Sequence, residues 1–153
     1  MADDRLGTFL ELSVALTGFS TVELQGTGMA QAYLETLAGA AGEGVTADLL
    51  RTFAEVERGG DVERELRTRI LGDPRLGPVA RNLIGLWYVG SWYELPQAWR
   101  DANGISAGDV SRVVSAQSYQ QGLMWLAGGA HAQGANEPGY GTWARPPRAG
   151  ADS

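Results

Sequence analysis

Residues Asp73 to Trp99 read DPRLGPVARNLIGLWYVGSWYELPQAW, and the fold turns on how this stretch is read. It holds Leu83, Ile84, Leu86, Trp87, Tyr88, Val89, Trp92, Tyr93, Leu95 and Trp99, including three of the five tryptophans of the chain. Helical period places Leu83, Trp87 and Gly90 on one face, with Ile84 and Tyr88 beside them. Leu86, Val89 and Tyr93 fall on other faces, so the segment is apolar nearly all round. Such a helix is buried on several sides, in its own core or in that of another protein. Arg81, Asn82 and Glu94 bracket an apolar run of about a dozen residues, short of the roughly 20 that cross a bilayer, so no membrane span is expected. Asp73-Pro74 and Gly77-Pro78 are turn or start signals, and a proline in the first helical turn loses no needed N–H. The helix is therefore expected to begin near Pro78. Leu95-Pro96 ends it, or opens one last turn to Trp99.

Working back towards the N-terminus, the pattern stays helical. Asp3 or Asp4 can cap a first helix with Leu6, Phe9, Leu10, Ser13 and Leu16 as its stripe, stopped at Gly18. Ser20-Thr21-Val22-Glu23 reads as a capping box. Gly26-Thr27-Gly28 interrupts the second helix, and Thr27 can cap a renewed one through Met29, Tyr33, Leu34 and Leu37. Gly39 to Gly44 reads as a loop, with Thr46 capping a helix that carries Leu49, Leu50, Phe53 and Val56 and closes at Gly59-Gly60. Asp61 caps a short charged helix to Leu71, with Val62, Leu66 and Ile70 inward.

Towards the C-terminus, Asp101 to Asp109 reads as loop. Val113-Val114 is extended, and Ser115 caps a helix through Tyr119, Leu123, Met124 and Leu126. After Ala127 the regular patterning stops. Gly128 to Ser153 is rich in glycine, with Pro138, Pro146 and Pro147 alongside Tyr140 and Trp143, a composition that cannot build a core. The expected fold is all-α: a small helical domain of about five helices over residues 1–127. Residues 128–153 form a long irregular Gly/Pro-rich C-terminal arm, an extended partner-docking segment with a disordered terminus. No internal repeat or strand ladder is expected.

Length and charge set further bounds. A chain of 153 residues makes one domain. Net charge is −6, which argues against nucleic acid as a partner. Residues 1–65 carry 12 acids and 4 arginines, and residues 66–153 carry 6 acids and 8 arginines. Lysine is absent, and arginine suits interfaces; high genomic GC would give the same bias. With no cysteine there are no disulfides and no thiolate ligands. The start, Met1-Ala2-Asp3-Asp4, is acidic where a secretory leader would be basic.

No catalytic set is visible. His131 is the single histidine, and its plain reading is a loop side chain bonded to nearby backbone. One histidine among scattered acids makes no metal site. Gly26-x-Gly28 and Gly139-x-Gly141 lack the strand and helix context of a phosphate loop. The acids of Glu55–Glu65 read as a solvated face. A surplus of aromatic residues without reactive machinery points to binding, because interfaces concentrate Trp, Tyr and Arg. The expected partner-binding residues are Trp87, Tyr88, Trp92, Trp99, Trp125, His131, Pro138, Tyr140, Trp143 and Pro146. Two or more of the tryptophans are expected to be shared with a partner; the plainer alternative is that Trp87 and Trp125 fill the chain's own core.

Several runs carry a family resemblance. In order they are Leu16-Thr17-Gly18-Phe19, Leu24-x-Gly26-Thr27-Gly28-x-Ala30, Tyr33-Leu34, Ile70-Leu71-x-Asp73-Pro74-x-Leu76-Gly77-Pro78-x-Ala80-Arg81-Asn82, Leu86-Trp87-Tyr88-x-Gly90-x-Trp92 and Leu95-Pro96-x-x-Trp99. Then come Val114-Ser115-x-x-x-Tyr119-x-x-Gly122-Leu123-x-Trp125, His131-x-x-Gly134-Ala135 and Pro138-Gly139-Tyr140-Gly141-x-Trp143-Ala144-x-Pro146-Pro147. Together they cover almost the whole length. The chain resembles the small, non-catalytic subunit of bacterial FAD-dependent sugar and polyol dehydrogenases, the sorbitol, gluconate, fructose and glucose dehydrogenase complexes. The resemblance implies a large partner subunit of the glucose–methanol–choline type. FAD sits on that partner and no cofactor or metal on this chain; some complexes add a cytochrome c subunit. The small subunit would help the large one fold and stay stable. It would be cytoplasmic, or periplasmic if exported with its partner or trimmed of a leader. Two other readings stand beside it: a free-standing helical adaptor or regulator, and a small enzyme using His131 with an acid such as Glu137.

Overall fold

A computed structural model of the protein describes residues 2–124. The fold is all-α, as the patterning predicts, with eight helices and one two-residue strand pair among the described residues. Helix α1 spans Ala2–Thr17, so Asp3 and Asp4 lie inside its first turn rather than capping it. Phe9, Leu12 and Ser13 are fully buried along it, while Leu6 and Leu16 are only partly covered. Helix α2, Thr21–Gly26, opens with the expected capping box: Ser20 Oγ accepts from the Glu23 N–H at 3.1 Å, and Glu23 Oε1 accepts from the Ser20 N–H at 2.9 Å. That arrangement satisfies two helix-start donors reciprocally.

Helix α3, Ala30–Ala41, starts after Met29, not Thr27. The Thr27 hydroxyl is used all the same. It donates to the Leu24 carbonyl at 2.7 Å and accepts from the Met29 N–H at 3.1 Å, closing the break between the two helices. The loop expected over Gly39 to Gly44 is a single residue. Alanines 38, 40 and 41 sustain α3, and Gly42, at φ +94°, makes the whole turn into α4, Glu43–Gly59. Thr46 therefore lies inside α4, fully buried, and caps nothing.

Helix α5, Val62–Glu65, is capped by Asp61 as expected, its carboxylate accepting from the Arg64 N–H at 3.2 Å. It runs directly into a π-helical segment, Leu66–Leu71, marked by the Gly72 N–H reaching back five residues to the Arg67 carbonyl at 2.8 Å. Leu66 and Ile70 are buried there, as the pattern predicts. Asp73 then turns the chain, its Oδ2 accepting from the N–H groups of Arg75 (2.9 Å) and Leu76 (2.8 Å).

The aromatic helix, α6, spans Gly77–Val89 with Pro78 in its first turn. It ends earlier than Leu95-Pro96. Gly90 takes the left-handed conformation at φ +70°, and the chain leaves as strand β1, Ser91–Trp92. Helix α7, Gln97–Asn103, occupies part of the region expected to be loop. Strand β2, Arg112–Val113, pairs antiparallel with β1, placing Ser91 opposite Val113 and Trp92 opposite Arg112. Ser115 caps the short α8, Ala116–Gln120. Of the eight helices, α2, α5, α7 and α8 are each seven residues or fewer. The core is built by α1, α3, α4, the π-helical segment and α6, close to the five helices expected. Helix α6 packs against α1, α3, the π-helical segment, β1 and α8, so the Asp73–Trp99 stretch is central.

Candidate functional site

Three indoles organise the centre, and each N–H has an internal acceptor. Trp87 lies against Tyr33 edge-to-face at 4.9 Å between centroids and against Phe9 at 6.3 Å. Its Nε1 donates to Ser13 Oγ at 2.9 Å, and Ser13 Oγ donates to the Phe9 carbonyl at 2.8 Å. Trp92 Nε1 donates to Asp109 Oδ1 at 2.8 Å, which also accepts from the Leu95 N–H at 2.9 Å. Trp99 Nε1 donates to the Arg75 carbonyl at 2.7 Å. Buried indoles need such partners, and here the sequence provides all three from within the chain.

This placement corrects the expectation that Trp92 and Trp99 present their rings to a partner, and for Trp87 it matches the alternative that the ring fills the chain's own core. All three are buried in the chain's own core, at 5 % exposure or less. Trp87, packed against Phe9 of α1 and Tyr33 of α3, is 1 % exposed, which leaves no face of it for anything else. Tyr88 is half-buried, its ring edge-on to Phe19 at 5.9 Å and its hydroxyl donating to the Thr17 carbonyl at 3.3 Å. Trp125, His131, Pro138, Tyr140, Trp143 and Pro146 lie outside the described residues, as does Glu137.

Asp109 is the residue that the sequence reading missed. It sits in a stretch read as plain loop, yet it is 2 % exposed. Its Oδ1 ties Trp92 and the Leu95 backbone together, and its Oδ2 faces Arg100 Nε at 3.4 Å, an electrostatic contact rather than an aligned hydrogen bond. Arg100 also reaches Glu94 at 2.6 Å. A buried carboxylate is tolerated only when paired and hydrogen-bonded, and this one is both. It pins the 104–111 loop onto the aromatic segment. Ser118 does the same for α8, its Oγ donating to the Gly90 carbonyl at 2.9 Å. Burial pushes the Tyr33 phenol up, partly offset by the Ser118 hydroxyl that it faces.

Part of what remains outward is apolar. Seven large apolar side chains are exposed among the described residues, and six of them, Tyr93, Ile105, Val110, Val113, Tyr119 and Met124, fall within 93–124; Val22 is the seventh. Clustering in one stretch is the informative point, since scattered exposed apolar residues are ordinary. The register places Tyr93 and Val113 on one ribbon face. The ribbon face that carries Tyr93 and Val113, rather than the tryptophans, is the candidate docking flank.

An open groove of about 300 Å3 between α1 and α4 is lined by Asp4, Arg5, Thr8, Ala47, Leu50, Arg51 and Ala54. Arg5 pairs with Glu43 at 2.9 Å, and Arg51 with Asp48 at 2.7 Å. Asp48 also meets Arg75 at 2.5 Å, and the two arginines, Arg75 foremost, hold its carboxyl below the usual range. Among the described residues no group of three or more His, Cys, Asp or Glu side chains converges to hold a metal ion. Nor, among them, is any helix long and apolar enough to cross a membrane. The chain matches no protein-family model, no curated protein and no solved structure.

Proposed function

We propose that this chain is a non-catalytic accessory subunit that completes a larger protein, an FAD-dependent sugar or polyol dehydrogenase of the glucose–methanol–choline type. The flavin and the hydride transfer belong to the large chain. This one covers apolar surface on it and so favours its folded, flavin-loaded state. The supporting observation is the concentration of exposed apolar side chains in residues 93–124, while Trp87, Trp92 and Trp99 are already buried among the described residues. Residues 128–147 follow in sequence and serve as the second contact. A cytochrome c subunit is a further component of such a complex, and the pair works in the cytoplasm or is exported together. The sequence resemblance supplies the partner's identity.

A free-standing helical adaptor is the second reading. It is favoured by the three satisfied indoles, which let the domain fold without a companion. Expressing the large subunit with and without this chain separates the two. The subunit reading expects a several-fold gain in soluble, flavin-loaded large chain on co-expression, and equal yields reject it.

A further inference from the structure

The β1–β2 ribbon has one edge that α6 covers and one that it does not. On the β1 side, Asn82 Nδ2 donates to the Tyr93 carbonyl at 2.6 Å, and the Ser91 carbonyl stands 3.9 Å from where a Cβ on Gly85 would sit. That edge is closed by the helix. On the β2 side, the Val114 N–H donates to the Gly90 carbonyl at 2.9 Å, so Gly90–Val114 is a hydrogen-bonded position of the register. Bonded and non-bonded positions alternate along an antiparallel pair, which makes Ser91–Val113 a non-bonded one. The Val113 N–H and C=O therefore point away from β1, and neither has a partner among the described residues.

From this geometry we propose that the outer edge of β2 is a docking site for an extended strand of another protein. An unpaired N–H and C=O on one exposed residue select an extended main chain over a helix, whose own backbone groups are already used. Both β2 residues are exposed. Val113 and Tyr93 are diagonal neighbours on one face and offer apolar contact, with Val110 just upstream also exposed. Arg112 lies on the other face and enters no ion pair among the described residues. The occupant is thus an alternating strand with an apolar residue against Val113 and a carboxylate against Arg112. The edge is two residues long, so main-chain bonds fix orientation while these side chains set affinity. The proposal goes beyond the subunit reading and stands without it.

The test uses the full-length chain, labelled for NMR, and a short synthetic peptide of alternating valine and threonine with a central aspartate. The Val113 amide is expected to exchange rapidly in the free chain, and to shift and become protected on adding peptide. Replacing the aspartate of the peptide by lysine should weaken binding by on the order of tenfold. Val113→Pro removes only the outward N–H, and is expected to lower affinity by a similar factor with the rest of the spectrum unchanged. Val113→Lys, at the same exposed position, gives the same loss without touching the backbone and serves if the proline variant does not fold. Three results each overturn the proposal. One is a Val113 amide already protected in the free monomer, which would mean that the chain's own residues fill the edge. Another is a concentration-dependent dimer dispersed by Val113→Lys, which would make a second copy the occupant. The third is no change at Val113 in millimolar peptide.

Discussion

Replacing Asp109 by alanine should be among the most damaging single changes in this protein that touch no large apolar side chain. The substitution strips the acceptor from two buried donors, the Trp92 indole N–H at 2.8 Å and the Leu95 N–H at 2.9 Å. Each buried donor left unpaired costs about 1–3 kcal/mol, so the pair costs about 2–6 kcal/mol. Arg100 loses one of its two carboxylates and keeps Glu94 at 2.6 Å, which adds little. A domain of ordinary stability has about 5–15 kcal/mol in hand. The loss is therefore a large share, and corresponds to a fall in Tm of roughly 4–24 °C at this chain length. Asp109→Asn keeps Oδ1 in place for both donors and gives up only the attraction to Arg100, so it should cost far less than alanine. Urea unfolding followed by circular dichroism gives both numbers, and a double-mutant cycle isolates the indole contact. In a Trp92→Phe background one of the two donors is gone, and Asp109→Ala should cost about 1–3 kcal/mol less than in the wild type. If alanine at 109 costs under about 1 kcal/mol, or costs the same in both backgrounds, the carboxylate is not what holds the 104–111 loop to the core.

Two further outcomes follow from the geometry. Gly90→Ala combines a left-handed backbone at φ +70° with a Cβ driven into the Ser118 carbonyl, whereas Gly60→Ala meets only the backbone cost at φ +96° in open space. The second should lose about 1–2 kcal/mol in thermal melts and the first clearly more, with equal losses meaning that α8 does not rest on Gly90. Glu57 is held above the ordinary carboxyl value of 4.5, chiefly by burial and then by the neighbouring Glu11 carboxyl. Because the folded state holds that proton more tightly, the group favours folding at low pH and loses that contribution as pH rises through its folded value. Glu57→Gln should accordingly raise the urea midpoint at pH 7, with the gain fading below the ordinary value of 4.5; a gain that persists in acid would point to packing instead.

Much of the fold was legible because local signals and burial agree. The Ser20 and Asp61 caps, the Gly18 and Gly60 stops and the start of α6 at Gly77-Pro78 all fall where side-chain chemistry alone would put them. The misreadings share a cause: tertiary contacts overrode local signals. Gly39 and Gly44 look like breakers, but α3 and α4 run through them because only Gly42 has to bend. The tryptophans look like surplus surface because composition cannot say how many elements converge on one helix. Asp109 was invisible for a related reason. An aspartate between Gly108 and Val110 resembles any loop aspartate until Trp92, 17 residues away, is known to point at it. The flank is hinted at by Ile105 and Val110, apolar residues in a stretch where no helical or strand period gives them an inner face.

The joint at Gly42 has a kinetic consequence. Its N–H closes the last turn of α3 on the Ala38 carbonyl at 3.0 Å, and its carbonyl receives the Thr46 N–H at 3.0 Å to open α4. One residue thus serves as the end of one helix and the beginning of the next, leaving no slack through which either can unravel alone. The hairpin is a short-range contact unit, the kind that assembles early because little chain must be brought together. Amides from Ala38 to Thr46 should then open as one cooperative block, and the later-arriving α6 would find a preformed trough to lie in.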